Sequence, residues 1–197
     1  AFAATLTCTT AVWAGSATQV EADRIAGILQ SYSGDAAGFV SVVPNNDAYT
    51  IKLDFGVLAD KLTAASDSGL TIAAKATSEF QAKPVGNGLW QISQNSPFAW
   101  NLNAGPDAAI NAKADNLVFD GVFDENLMAF TSQTMDVENI VYTQHLVETG
   151  KQIADVTYTI GTMHYVASAA AAGSGAVDGK TEYTFSDLKE VMQMAPE

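Results

Sequence analysis

The 197-residue chain has 48% apolar residues, enough to bury a core and too many for a disordered polymer. Its 22 acidic and 9 basic side chains give a net charge of -13, so it should be repelled by phosphate backbones and anionic membrane surfaces. No Lys or Arg run offsets that charge, which argues against a nucleic-acid partner. A single cysteine, Cys8, excludes an intramolecular disulfide.

Residues 1–17 read in two ways. Ala3, Ala4, Leu6, Ala11, Val12 and Trp13 resemble the tail of a secretory signal, with Val12-Trp13-Ala14 or Gly15-Ser16-Ala17 as the small-residue cleavage site. They also suit an extended N-terminal arm or a first strand. Residues 18–197 then form a single β-rich domain. No apolar run reaches the roughly 20 residues needed for a helical membrane span.

Thr18 to Tyr32 is the clearest helix. Ile25, Ile28, Leu29 and Tyr32 recur at helical spacing and give one apolar stripe. Gly38–Val43 and Ala48–Phe55 predict a hairpin turning at Pro44-Asn45-Asn46-Asp47. Gly56 to Ala65 predicts a short helix and 66–69 a loop.

Thr71 to Asn103 alternates with a period of two, which places apolar and polar residues on opposite faces of a sheet. Gly86-Asn87-Gly88 supplies residues that accept positive φ for a reversal. Trp90 and Ile92, then Phe98, Trp100 and Leu102 after Pro97, form a candidate apolar, ligand-binding face. Gly105-Pro106-Asp107 predicts a turn. In Ala108–Phe123 the apolar parity switches between Ala114 and Leu117, which predicts a β-bulge near Asp115-Asn116.

Thr131–Val147 and Gln152–Ala167 predict two long strands. The low-complexity run Ala167–Gly175 suggests a frayed edge or a loop. Asp178-Gly179 predicts a tight turn before Lys180–Thr184. Thr184-Phe185-Ser186-Asp187 has the form of a capping box before a closing helix over Leu188–Met194. The expected fold is α+β, mainly β. It is a curved antiparallel sheet of about nine or ten strands, packed with an N-terminal amphipathic helix and a short C-terminal helix.

Chemistry is sparse. If the long hairpin turns near Thr149-Gly150, facing positions sum to about 300. His145 then faces Asp155 and His164 faces Asp136, too far apart for the two histidines to share a metal. No Gly-x-Ser-x-Gly elbow exists; Gly173-Ser174-Gly175 lacks its strand-to-helix setting. Cys8 has no basic neighbour to make a thiolate. Asp120, Asp124 and Glu125 form the densest acidic cluster, but their spacing does not match a calcium loop. No phosphate loop or dinucleotide fingerprint is present. No cofactor, no metal and no enzymatic activity are expected. The aromatic set of Trp90, Phe98 and Trp100, with Phe80, Phe119 and Phe123 nearby, reads as core beneath a helix, as the lining of an apolar ligand site, or as a sugar platform.

Four segments carry a resemblance: Tyr49-Thr50-Ile51-Lys52-Leu53-Asp54, Gly86-Asn87-Gly88-Leu89-Trp90, Leu117–Asp124 and Tyr183-Thr184-Phe185-Ser186-Asp187-Leu188. In these the chain resembles a loose group of exported, periplasmic β-rich alphaproteobacterial proteins of unknown function. That resemblance implies a periplasmic location and hydrophobic cargo, and supplies no catalytic residues. Members are often longer, which implies that this chain is one part of a larger protein. The leading expectation is a non-enzymatic envelope protein binding a lipid-like ligand or an envelope partner. The alternatives are a structural or assembly module that uses its N-terminal arm, and a hydrolase of unrecognised type.

Overall fold

The computed structural model describes residues 16–32, 37–64, 72–104, 108–148, 151–172 and 177–195. Among these residues two helices, α1 (Gln19–Tyr32) and α2 (Phe55–Ala64), accompany ten strands. These are β1 (Val40–Asn45), β2 (Ala48–Asp54), β3 (Ile72–Lys75), β4 (Thr77–Gly86), β5 (Leu89–Ala104), β6 (Ala108–Asp124), β7 (Ala129–Glu148), β8 (Lys151–Ala171), β9 (Val177–Ser186) and β10 (Lys189–Met194). All ten belong to one open antiparallel sheet of order β1-β2-β4-β5-β6-β7-β8-β10. β3 adds to the β4 side of β5, and β9 adds to the outer edge of β8. β8 has 21 residues and spans about 70 Å at roughly 3.3 Å per residue.

The expected mainly-β architecture is therefore present, with α1 in its expected place. Thr18 Oγ1 accepts a hydrogen bond from the Glu21 backbone N–H (3.3 Å) and starts the helix. The helix packs its apolar stripe on the sheet through Ala22 and Ile25, which are buried with Val40, Val42, Tyr49, Ile51, Ala82 and Trp90. Two bonds pin its start: the Ala17 N–H donates to the Asn46 carbonyl (2.8 Å), and the Thr18 N–H to the Tyr49 hydroxyl (3.2 Å). Residues 1–15 of the expected arm, the 66–69 loop and the 105–107 turn lie outside the described residues.

The closing helix is not formed. Lys189–Met194 is β10, paired with Ala154–Thr159 of β8. The helical spacing of Leu188, Val191 and Met192 is genuine, but a helix there would leave that stretch of β8 with unpaired backbone groups on its edge. A ladder satisfies both chains. The Asp178-Gly179 turn is overturned for the same reason: both residues sit within β9, opposite Ala170 and Ala169. Pro44 also lies inside its strand, and the hairpin reverses at Asn46-Asp47. β1 is an edge strand, so a proline there costs no ladder bond that a neighbour needs.

A line of irregularities crosses the sheet at one level. On β5 only Pro97 separates Ser96 from Phe98, while the facing stretch of β6 carries Asp115 and Asn116 between Ala114 and Leu117. This is the expected bulge. The next strand has Asn139 at φ 53°, and Asp187, between β9 and β10, is also at φ 53°. Asn and Asp tolerate this left-handed conformation better than most residues. On β8 the level is marked by Gly161, where an added Cβ would lie 2.9 Å from Asp187 Oδ2. Asn139 Nδ2 donates to Asp115 Oδ2 (3.0 Å) and ties two of the irregular strands together. On β5 the residues between Ser93 and Asn101 are paired by neither β4 nor β3. The crease divides the sheet into a proximal half beneath α1 and a distal half beyond Phe98.

Candidate functional site

The proximal half holds an apolar groove of about 610 Å³ between α1 and the sheet. Its roof is Ile25, Ile28 and Leu29 of α1. The period of two brings the floor together across five strands: Ile51 and Leu53 of β2, Phe80 and Ala82 of β4, Trp90 and Ile92 of β5, Phe119 and Phe123 of β6, and Phe130 of β7. The ladder fixes these neighbours, with Ile51 facing Phe80, Ala82 facing Ile92, and Trp90 facing Phe123. Aromatic rings meet edge to face at Phe80–Phe119 (6.3 Å), Phe119–Phe130 (5.5 Å) and Phe123–Phe130 (5.4 Å), while Tyr49 tilts against Trp90 (5.8 Å). Such pairs favour this tilted geometry because ring edges carry positive charge and faces negative.

Gly121 opens the floor. An added Cβ would sit 2.9 Å from the Phe130 ring and 3.1 Å from Gln133 Cβ, so the absent side chain is what lets Phe130 lie across the sheet. Simple alternation places Phe130 and Gln133 on opposite faces. The register shift at Val122/Phe123, where Thr131 has no partner, puts both in the groove lining.

Apart from Arg24, Glu125 and Gln133, every lining residue is apolar. Gln133 Nε2 donates to the Tyr165 hydroxyl (2.8 Å). Arg24 bonds Glu21 on its own helix through Nε and Nη2, and bonds Glu125 through Nη2 (2.6 Å). These bonds, Glu21's first and Glu125's second, hold the guanidinium still more firmly protonated. The pair latches α1 to the turn between β6 and β7. Toward the crease the groove gives way to polar side chains: Ser78 Oγ donates to Gln94 Oε1 (3.3 Å), and Gln94 Nε2 to Ser96 Oγ (3.1 Å). Gln94 is buried at 7% exposure, so these bonds offset the loss of its hydration.

The five candidate residues are not all brought together. Trp90 and Ile92 line the groove. Trp100 borders a separate hollow of about 230 Å³ with Ala99, Asn101, Asn111, Ala112, Lys113, Val141 and Thr143. Phe98 and Leu102 line neither, and both are half-buried. Phe80, Phe119 and Phe123 were legible only as aromatic neighbours in sequence. Phe130, Arg24, Glu125 and Gln133 were missed as groove residues. The apolar stripe of α1 was the available signal for the roof.

The two histidines take the expected partners. His145 Nδ1 lies 2.5 Å from Asp155 Oδ1, and His164 Nδ1 lies 2.6 Å from Asp136 Oδ1. Asp136 and His145 are nine positions apart on β7, roughly 30 Å along an extended strand. The acidic cluster is divided among local tasks. Asp120 Oδ1 accepts from Gln91 Nε2 (2.7 Å), Asp124 Oδ1 accepts from the Asn126 N–H (2.8 Å), and Glu125 binds Arg24. Among the described residues no three His, Cys, Asp or Glu side chains gather as metal ligands, and no helix is long and apolar enough to cross a membrane. No family model, no curated protein and no solved structure matches the chain.

Proposed function

We propose that this is a non-enzymatic protein of the bacterial periplasm that holds an apolar, lipid-like molecule between α1 and the proximal sheet. One observation carries the reading: the groove of about 610 Å³ is lined almost wholly by aliphatic and aromatic side chains. Its size falls within the range of small-molecule sites, roughly 300–1,000 Å³. The separation of the two histidine–aspartate pairs supports the non-enzymatic part. The periplasmic part rests on the resemblance of the four segments named above.

Solvent extraction of the purified protein followed by mass spectrometry tests the reading, together with titration by the neutral hydrophobic dye N-phenylnaphthylamine. Co-purified lipid, or saturable dye binding that Phe130→Asp abolishes, is expected. A protein that yields no lipid and leaves the dye dark would remove the proposal.

A second reading, an assembly module, is favoured by the outer edge of the sheet. Every residue of β10 is exposed, as are Tyr183, Phe185 and Leu188 beside it. An open apolar edge is a template for another strand, whereas the β1 edge carries Pro44. The fitting occupant is a second copy of the chain. Sedimentation over a range of concentrations decides: self-association lost in Leu188→Lys and Met192→Lys supports it, and a monomer throughout counts against it.

A further inference from the structure

We infer that the groove selects neutral or cationic amphiphiles and discriminates against anionic ones. This rests on the apolar-ligand reading and adds the head-group class. Among the described residues, Arg24 is the only cationic side chain lining the groove. In most sites for fatty acids or phosphorylated lipids a cation at the mouth would receive the anion. Here the cation's charge is already more than matched by two carboxylates. Nε and Nη2 of Arg24 bond Glu21 at 2.6–3.0 Å, and Nη2 also meets Glu125 at 2.6 Å. The three linked groups sum to one negative charge.

An entering carboxylate or phosphate would have to displace Glu21 or Glu125 from Arg24, or share the guanidinium with both of them at close range. Either route loses Coulomb energy at a site partly withdrawn from solvent: Arg24 and Glu125 side chains are 41% and 31% exposed. Displacing Glu125 would also leave α1 without its link to the β6–β7 turn. The protein's overall charge of -13 adds a longer-range repulsion of the same sign. A hydroxyl or ammonium head group meets no such cost, because the two carboxylates can accept its hydrogen bonds. Gln133, the remaining polar lining residue, is neutral and donates to Tyr165, so it supplies no charge to reverse the preference.

The test compares dodecanol, dodecylammonium and dodecanoate as displacers of N-phenylnaphthylamine at pH 8 and low salt. Dodecanol and the cation should displace the dye at concentrations about tenfold or more below dodecanoate, a gap that narrows in high salt as charges are screened. Glu125→Gln should narrow the gap by freeing Arg24. Glu21→Gln should do so too while keeping the bond between helix and turn, so a loosened α1 cannot explain both results. Dodecanoate binding as well as dodecanol in the wild type would overturn the inference and leave the apolar-ligand reading standing. A gap unchanged in both variants would also overturn it. If none of the three chains displaces the dye, the inference falls together with the reading beneath it.

Discussion

The two halves of the sheet share strands, alternation and even the parity of β5, yet among the described residues a helix roofs the groove of the proximal half while the distal half has a smaller hollow with no helix residue in its lining. In the proximal half Trp90 is buried at 7% exposure, and α1 supplies a second wall across from it. In the distal half Trp100 faces Ala112, which faces Tyr142, which faces Tyr158. The Tyr142 and Tyr158 rings meet at a tilt, 5.8 Å apart, and all four side chains remain half-buried. The difference lies in what covers the face. A pleated strand sorts side chains by polarity, but concavity requires a second layer. The crease and the Ser78–Gln94–Ser96 cluster keep the two apolar stretches apart.

The comparison predicts a large asymmetry in stability. Trp90→Ala should cost about 3–5 kcal/mol in urea denaturation, as a large side chain removed from a packed core. Trp100→Ala should cost less, under about 2 kcal/mol, since part of its surface already meets water. Equal costs would mean that the distal face is as well covered as the proximal one.

The crease gives the next effect. Asn139→Val should destabilise by about 1–3 kcal/mol, because a β-branched residue resists φ 53° and the bond to Asp115 is lost. Asn139→Gly should recover much of that loss. A Val variant as stable as wild type would show that the ladder passes this level without strain.

Gly121→Ala separates function from stability. The new methyl would push on Phe130 and fill part of the floor. Dye affinity should fall about tenfold while the melting temperature changes by only a few degrees. Unchanged affinity would place the dye elsewhere.

The smallest effect concerns Asp47. The Lys83 ammonium, 2.5 Å away, holds its carboxyl below the usual carboxylate range, first by hydrogen bonding and then by charge. A lowered carboxylate pKa stabilises the fold above its unfolded value, and that contribution disappears as pH falls through the folded one. The pair is exposed, so the change in stability should be slight. Lys83→Ala should return the Asp47 titration toward its ordinary position in NMR spectra.

Much of this was legible in the sequence. Alternation gave the strands, the parity switch at Asp115-Asn116 gave the crease on β6, and a hairpin centred near Thr149-Gly150 placed both histidines opposite their aspartates. What failed was the weighing of local signals against long-range pairing. The capping form at Thr184–Asp187 and the Asp178-Gly179 dipeptide are local, and the unfilled edge of β8 outweighed both. Phe130 was hidden because an unpaired residue, Thr131, shifts the ladder by one, and only the partner strand reveals such a shift. Arg24 and Glu125 are 101 positions apart, and no short-range pattern links them.

The groove between α1 and the proximal sheet can be tested by fluorescence quenching. Variants retaining only Trp90 or only Trp100 would be titrated with a brominated dodecanol, whose bromine quenches indole on contact. Strong saturable quenching of Trp90, with Trp100 quenched no more than free indole, is the predicted result. Equal quenching of the two, or quenching of Trp100 alone, would contradict the assignment of ligand binding to the helix-covered half.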